Sequence, residues 1–305
     1  MAKYIISAFS DEAAPSLSEQ IEALKEAGIS CMEPRFIDGK GILELTDEEL
    51  AAVKAALDEA GIGLSSIGSP IGKYGITEPF LPHFEKFRHA CRVAKLLGTP
   101  RIRIFSFFIP EGKTPAAYRD EVIARMKAMV DYAKAEGILL CHENESLIYG
   151  ESPSSVADLL SSVPGLRGIW DPANYILTGG DPLDGYEATK DALEYFHIKD
   201  AKMCDRAIYT GAGEGEGRIK EVLTRHSDAT DATAYLTLEP HLNAFEGYSA
   251  IDHRDMADNG KGFKNNRESF AYAAKALKSL LLEAGFEESE TGVFIGNVSC
   301  QEKTI

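Results

Sequence analysis

The 305-residue sequence predicts an α/β protein folded as a closed (β/α)8 barrel of eight alternating strands and helices. Short runs of β-branched, leucine-rich and aromatic residues alternate with amphipathic stretches along most of the chain. This is the pattern of a parallel sheet covered by helices. Four of the later runs also end in a side chain that can bind a metal ion, at the strand edge where such barrels place their chemistry.

Eight segments have the composition of buried strands, and in chain order they are YIISAF, CMEPRF, IGLSSIG, RIRIFSF, GILLCHE, LRGIWD, YFHIKD and YLTLEP. The helix candidates between them include SLSEQIEALKEAG, TDEELAAVKAALDEAG and YRDEVIARMKAMVDYAKAEG, and the last predicted helix is RESFAYAAKALKSLLLEAG. Each ends at a glycine, a residue that commonly follows the final helical turn. The alternative is a doubly wound open sheet, but SDEAAPS after the first strand lacks the glycine spacing of a dinucleotide-binding turn.

We expect one catalytic domain over residues 1–285, because no repeat, low-complexity segment or break in composition divides it. Residues 286–305 are predicted to form a C-terminal tail, and its sequence suits a frayed end, an oligomer contact or a lid. A homo-oligomer is therefore compatible with the sequence.

The composition of the chain indicates which kinds of partner the protein can bind and which cell compartment it occupies. A formal net charge of −16 repels a phosphate backbone, and no basic patch offsets it, so we expect no nucleic-acid partner. No segment has the apolar length of a membrane span, and the first residues lack the features of a signal peptide. The five cysteines are scattered and odd in number, which is typical of a reducing compartment and predicts a cytoplasmic location.

Four side chains at strand ends form the strongest candidate site. Glu143, Asp171, His197 and Glu239 end the runs GILLCHE, LRGIWD, YFH and YLTLE. If these strands are parallel neighbours, the four side chains converge at one edge of the barrel. Burying several carboxylates together is costly unless a cation neutralises them, so the group is predicted either to hold a metal or to stay well solvated.

The ligand set also favours particular metals. Three oxygen donors, one nitrogen and no thiolate suit a hard divalent ion such as Mn²⁺ or Mg²⁺. Co²⁺ also fits, and Zn²⁺ is a less natural choice.

Segments along nearly the whole chain carry a resemblance to a known family; they are FSDE at the first strand, EPRFIDGKGI, IGSPIGK, IRIFSFF, HENESLIYG, DPANY, HIKDA, GAGEGEG and LEPHL. In these segments the chain resembles the sugar phosphate isomerase/epimerase group of xylose-isomerase-like TIM barrels. The resemblance implies that Glu143, Asp171, His197 and Glu239 hold the metal and that Glu143 and Glu239 serve as acid and base. It therefore implies a small-molecule sugar or sugar derivative as substrate. The reaction would begin with removal of the proton next to a carbonyl.

The sequence departs from the ketose 3-epimerase pattern at two positions. Asn174 stands where those enzymes have a substrate-binding histidine, and Arg206 lies further from the metal histidine than their substrate arginine. Lys199 and Lys202 are the nearer cations, and Asn174 retains the ability to hydrogen-bond a hydroxyl. The sugar and the reaction class are therefore open.

Further polar residues are candidates for the substrate pocket. Strand alternation places Lys199 and His241 on the inward face with His197 and Glu239, and His241 is expected to support Glu239 or contact substrate. Arg35 and Lys73 would suit an anionic ligand, and the alternative for Arg35 is a pair with Glu33 that supports the barrel. The segment GAGEGEGRIKEVL is expected to form a flexible wall, because its acidic residues would repel a phosphate.

Four functions fit these residues to different degrees. A metal-dependent isomerase or epimerase of a ketose or aldose comes first. A lyase or dehydratase acting on a keto-sugar, keto-glycoside or keto-inositol follows, because it needs the same proton abstraction. A metal-dependent endonuclease would need more histidine ligands and a basic groove. A non-catalytic sugar-binding protein would not need an intact ligand set.

Overall fold

The computed structural model describes residues 1–251 and 258–296. Eight strands run in chain order around a barrel: β1 Lys3–Ala8, β2 Cys31–Met32, β3 Gly63–Leu64, β4 Arg101–Ile104, β5 Leu139–Glu143, β6 Arg167–Trp170, β7 Leu193–Ile198 and β8 Thr233–Leu238. Parallel ladders join β4 to β8 in sequence, and β8 pairs with β1 in the same sense. This confirms the predicted (β/α)8 barrel and excludes the open doubly wound sheet.

The barrel closes through its two shortest strands. β2 pairs with β3, and the Glu33 amide donates to the Ala8 carbonyl at 2.9 Å. Between the β3 and β4 segments, the Ile67 amide donates to the Arg101 carbonyl and the Arg103 amide donates to the Ile67 carbonyl. The predicted strands CMEPRF and IGLSSIG are too long, since only Cys31–Met32 and Gly63–Leu64 form the barrel ladder and Phe36 belongs to a separate short strand, Phe36–Ile37. Pro34 has no amide hydrogen to extend the β2 ladder, and the pairing after β3 continues as isolated bonds such as that from Gly68 to Pro34.

Helices follow the strands and cover the outside of the barrel: α1 Leu17–Ala27, α2 Asp47–Ala60, α3 Phe80–Leu97, α4 Arg119–Ala135, α5 Pro153–Ser162, α6 Pro172–Leu177, α7 Pro182–Thr189, α8 Ile219–Ala229, α9 Tyr248–Ile251 and α10 Asn266–Glu283. Local signals fix their ends. Thr46 caps α2 by accepting a hydrogen bond from the Glu49 amide at 3.2 Å, and Gly61 ends it with a φ of 70°. No helix in the described ranges has both the length and the apolar composition needed to cross a bilayer.

The chain after α10 forms a hairpin of two strands, Phe286–Glu290 and Val293–Gly296. Its second strand pairs antiparallel with the first half of β1, with Tyr4 opposite Phe294, while the end of β1 pairs with the β2 segment. Phe294 is fully buried. Residues 286–296 of the predicted tail are therefore part of the sheet, and residues 297–305 lie outside the described residues.

Candidate metal centre

Four strand ends bring the predicted ligands together at the carboxyl end of the barrel. Glu143 is the last residue of β5, Asp171 follows β6 as the cap of α6, His197 lies in β7 and Glu239 follows β8. One ligand atom from each of the four lies within 4.8 Å of the others, and all four residues are buried. The arrangement follows from parallel neighbouring strands, because their carboxyl ends share one edge.

The imidazole of His197 faces the carboxylates from inside the barrel. Its Nδ1 lies 3.1 Å from Glu143 Oε1 and 3.5 Å from Glu239 Oε2, and its Nε2 lies 3.5 Å from Glu33 Oε2. Neither ring nitrogen makes a well-directed hydrogen bond although both are buried. A buried nitrogen directed among carboxylates without a proper hydrogen bond is what a metal ligand requires, and Glu33 is placed to orient the ring from behind.

Glu33 is itself held in place. It accepts hydrogen bonds from Tyr195 Oη and Thr237 Oγ1, both at 2.9 Å. Burial opposes a charge on His197, but the carboxylates of Glu143 and Glu33 outweigh it and raise the pKa of His197 well above its usual value. These carboxylates therefore favour a cation at this position, and a metal ion bound to His197 would displace a proton from the ring.

Besides His197, two groups hold Glu143 in place. Asn174 Nδ2 donates to its Oε1 at 3.2 Å, and Arg103 Nη1 lies 3.3 Å from its Oε2. Burial tends to raise the pKa of Glu143, but His197 and Arg103 more than offset it and lower that pKa to about 2. The carboxylate is therefore ionised, as a metal ligand must be.

Asp171 is held at both its backbone and its side chain. Its Oδ1 accepts from the Asn174 amide at 3.0 Å, and its Oδ2 lies 3.0 Å from Lys199 Nζ. Asn144 bonds both the amide and the carbonyl of Asp171. Burial raises the pKa of Asp171 to about 7 despite Lys199. A nearby divalent cation would favour the ionised form.

Glu239 faces three nitrogen groups besides His197. Arg35 Nη1 donates to its Oε1 at 2.9 Å, His241 Nε2 lies 3.4 Å from the same oxygen, and Lys199 Nζ lies 3.4 Å from Oε2. Burial acts against its charge, yet Lys199 and the two histidines hold the pKa of Glu239 well below its usual value.

Arg35 is occupied by carboxylates and is not free for an anionic substrate. It pairs with Asp11 at 2.9 Å, Glu12 at 3.3 Å and Glu239 at 2.9 Å, and its guanidinium lies 4.4 Å from the centre of the Phe9 ring. The structure thus places Arg35 as a supporting cation, although its partners differ from the expected Glu33.

The remaining predicted substrate residues lie at different depths. Lys199 and Asn174 touch the ligands directly, and His241 lies between Glu12 and Glu239. Lys73 is further out, 3.1 Å from Glu145 and over the Phe105 ring. Arg206 is exposed at the turn of the hairpin formed by Asp200–Met203 and Ala207–Thr210, and in the described part of the chain it contacts none of the four ligands.

The acidic loop GAGEGEG has a different role from the expected flexible wall. Its amides at Gly213, Gly215 and Gly217 donate to the buried carboxylate of Asp200 at 2.8–3.1 Å, and the Ala201 amide adds a fourth bond. A Cβ on Gly215 would come within 2.2 Å of Asp200 Oδ1, so the glycines are needed for this close approach. The loop binds an anion of its own chain, the carboxylate of the residue that follows Lys199.

Sequence reasoning missed Asp11, Glu12, Arg103 and Asn144. Arg103 lies between two buried isoleucines in RIRI, and a basic residue that alternates with apolar ones on a barrel strand points inward. That alternation was a usable signal for Arg103. Asn144 had no comparable signal, because its role depends on the path of the backbone after β6.

Carboxylates outnumber the Arg and Lys cations around the centre. The described residues there include six buried carboxylates and three buried Arg or Lys side chains: Asp11, Glu12, Glu33, Glu143, Asp171 and Glu239, against Arg35, Arg103 and Lys199. Bound protons offset part of this difference, because burial raises the pKa of Glu12 to about 8 and that of Asp171 to about 7. A divalent cation among the ligands would replace such protons as the compensating charge. The donor set and the buried His197 nitrogen therefore fit a metal ion.

A second acidic group, Glu12, Glu239 and His241, also lies close enough to hold a cation. Arg35 already bonds the carboxylates of both Glu12 and Glu239. The guanidinium supplies the positive charge at that position.

Comparison with known proteins identifies the fold independently. The family model described as xylose isomerase-like TIM barrel matches residues 21–239. Among curated proteins, no sequence matches this chain.

Solved structures resemble this one at low sequence identity. A probable 3-DHS dehydratase from Bacillus anthracis is 16% identical with a TM-score of 0.68, covering 90% of this chain and 98% of the other. D-psicose 3-epimerase from Clostridium cellulolyticum H10, solved with D-tagatose, is 15% identical with a TM-score of 0.68 and the same coverage. A xylose isomerase-like TIM barrel protein from Mycobacterium smegmatis, solved in complex with magnesium, is 13% identical with a TM-score of 0.66, covering 93% of this chain and 98% of the other.

Proposed function

The chain belongs to the xylose isomerase-like TIM barrel family, and from that premise we propose that it is a divalent-metal-dependent isomerase or epimerase of a ketose or aldose. The observation that carries the proposal is the buried cluster of Glu143, Asp171, His197 and Glu239, whose ligand atoms lie within 4.8 Å of one another. Epimerases acting on free sugars share the fold.

The metal we propose is Mn²⁺ or Mg²⁺, held by Glu143, Asp171, His197 and Glu239. Such an ion would polarise a substrate carbonyl and stabilise the negative charge that develops on its oxygen when the neighbouring proton is removed. The three carboxylates and one imidazole are the ligands that support this preference.

Glu143 and Glu239 are the proposed acid and base. They approach the same ring nitrogen, His197 Nδ1, at 3.1 and 3.5 Å, so they flank one small volume. One carboxylate accepts the proton next to the carbonyl, and for epimerisation the other returns a proton from the opposite face. For aldose–ketose isomerisation the first carboxylate returns the proton to the adjacent carbon.

Lys199 and Asn174 are proposed to orient the sugar. The Lys199 ammonium lies between Asp171 and Glu239, where it can donate to a substrate oxygen near the metal. Asn174 Oδ1 has no hydrogen-bond partner although it is buried, so it can accept a bond from a hydroxyl.

A dehydratase or lyase acting on a keto-sugar or keto-inositol is the second candidate. Lys199 Nζ lies 3.4 Å from Glu239 Oε2, so a proton donor stands beside the proposed base. Elimination needs that pairing, because one group removes the α-proton while the other protonates the leaving oxygen. A probable dehydratase also shares the fold.

Incubation of the Mn²⁺-loaded enzyme with free and phosphorylated ketoses, aldoses and keto-inositols in deuterated water tests these functions. Isomerase or epimerase activity gives deuterium at the carbon next to the carbonyl without loss of water, whereas a dehydratase gives an unsaturated product. Glu143→Gln and Glu239→Gln should each lower turnover by about 100-fold or more, because each lacks the group that transfers the proton.

Glu136→Gln is the matched control, since Glu136 is a surface residue that pairs with Lys95. Metal titration by calorimetry should show binding to the wild type and a large loss with Asp171→Asn. The proposal is wrong if both glutamine variants turn over substrate as fast as Glu136→Gln does.

A further inference from the structure

A cavity of about 700 Å³ opens beside the metal centre, between the loops after β2 and β3 and the start of α3. We call it the outer cavity. Its walls are mainly apolar and include Phe36, Ile42, Leu43, Pro70, Ile71 and Tyr74. A single sugar ring at the metal would leave this space unfilled, since pockets of this size accommodate drug-sized ligands.

Two residues link the outer cavity to the metal centre. Arg35 and Arg103 line its inner end, and each bonds a proposed acid/base residue, Glu239 and Glu143 respectively. Arg103 is only 5% exposed, and its Nε has no hydrogen-bond partner. A buried donor without an acceptor at the junction of two sites is placed to bond an oxygen atom of a ligand that spans both.

The charges of the cavity disfavour an anionic ligand. The inner cations Arg35, Arg103 and Lys73 each already face a carboxylate. His83 in the wall accepts a bond from the Gly72 amide at 3.0 Å, and burial lowers the pKa of His83 to about 4, so the ring is neutral at pH 7.

The cavity rim adds acidic groups. Glu44, Glu85 and Lys86 are exposed there, and the chain as a whole carries a net charge of −16. A phosphate or carboxylate would therefore meet no unused cation at the inner end of the cavity, and carboxylates outnumber the one rim ammonium on the way in.

We propose that the outer cavity binds a neutral, largely apolar ring carried by the sugar substrate, with the oxygen that joins ring and sugar accepting a hydrogen bond from Arg103 Nε. The substrate class is then a sugar bearing an apolar ring substituent, not a free or phosphorylated monosaccharide. The placement of the sugar part of the substrate at the metal centre rests on the proposed function. Binding of the apolar ring in the outer cavity does not.

Binding of phenyl β-D-glucopyranoside and methyl β-D-glucopyranoside, measured by calorimetry or ligand-observed NMR, isolates the contribution of the ring. We expect the phenyl compound to bind about ten-fold more tightly than the methyl compound, because its ring buries apolar surface. The same ratio is expected with metal-stripped protein, since the apolar walls are not metal ligands. Glucose 6-phosphate should bind no more tightly than glucose.

Leu43→Trp should fill the cavity and bring the two glucosides to about equal affinity, because Leu43 is a half-buried wall residue. Leu81→Trp is the matched control: Leu81 is 69% exposed on α3 and does not line the cavity. Tyr74→Ala, which removes a wall ring instead of adding one, should also reduce the preference for phenyl.

Equal binding of the two glucosides to the wild type would overturn the inference, as would an unchanged phenyl preference in both Leu43→Trp and Tyr74→Ala. Tighter binding of glucose 6-phosphate than of glucose would replace it with an anion site. These binding measurements need neither turnover nor metal, so they test the cavity proposal alone. The deuterium-exchange assay tests the catalytic proposal, and the two proposals can therefore fail independently.

Discussion

Arg35 and Arg103 each place a guanidinium against one of the two proposed acid/base residues. Arg35 follows β2 and bonds Glu239, and Arg103 lies in β4 and bonds Glu143. Each guanidinium keeps its charge at any pH in ordinary use, so each carboxylate stays paired before substrate arrives. This arrangement disfavours a protonated glutamate in the resting site and suits metal ligation.

The four ligands could be predicted at the residue scale because each ends a recognisable strand. Their immediate neighbours could not. The contact between Arg35 and Asp11, for example, joins residues that follow two different strands, and its 2.9 Å geometry depends on how those loops turn. Side-chain partners across loops are set by backbone paths that a single sequence does not specify.

At the same scale, Asp200→Asn should destabilise the fold by about 2 kcal/mol, because the amide side chain offers one acceptor oxygen to four backbone donors and loses the charge. Urea unfolding monitored by circular dichroism measures the change. Asp205→Asn is the control, since Asp205 is exposed in the nearby hairpin turn. Equal stability of the two variants would show that the glycine loop does not depend on the carboxylate.

At the scale of elements, eight strands and the main helices could be read from composition, periodicity and helix caps. The C-terminal hairpin could not, because FEESE has four exposed glutamate or serine positions and only Phe286 buried. An edge strand with polar side chains on both faces has no alternation to detect. Its pairing with β1 joins residues almost a full chain length apart, which local patterns do not encode.

The hairpin provides a test with an internal control. Phe294→Ala should destabilise the protein by about 3 kcal/mol or more, because Phe294 is fully buried and its loss leaves a cavity. Ile295→Ala, one residue along the same strand, should cost much less, since Ile295 is 41% exposed. Thermal or urea unfolding of both variants makes the comparison. If the two variants were equally stable, the hairpin would not pack on β1 as described.

At the scale of the whole molecule, closure of the barrel explains why the number of strands could be predicted from the sequence but the lengths of β2 and β3 could not. The alternation of strands and helices predicts how many units exist, and the handedness of βαβ connections restricts their order. The shortness of β2 and β3 is a property of the closed barrel, because loops and single hydrogen bonds complete the circle there. Local composition alone therefore overestimates these strands.

A half-buried neutral histidine makes global stability depend on pH. Burial lowers the pKa of His226 to about 4 from an ordinary value of 6.5. Between those values the unfolded chain binds more protons than the folded one, so the stabilising contribution of neutral His226 is present above pH 6.5 and is lost as pH falls toward 4.

Comparison of the wild type with His226→Gln isolates this effect. The wild type should be the more stable at pH 7, since His226 also bonds Tyr4 Oη at 2.9 Å and packs on its ring. The stability difference between the two proteins should narrow as pH is lowered to 4.5, in urea titrations at several pH values. A difference that stays constant over this range would contradict the assigned pKa shift.

The position of β1 also affects how the protein is made. Two partners of β1, β8 and the hairpin strand Val293–Gly296, come late in the chain, and only the end of β1 meets an early partner, the β2 segment. During translation the first strand leaves the ribosome long before β8 or the hairpin is synthesised, so the edges that pair with them stay uncovered while most of the polypeptide emerges. Nascent chains stalled before residue 233 should accordingly depend on chaperones, and release of the full chain should end that dependence.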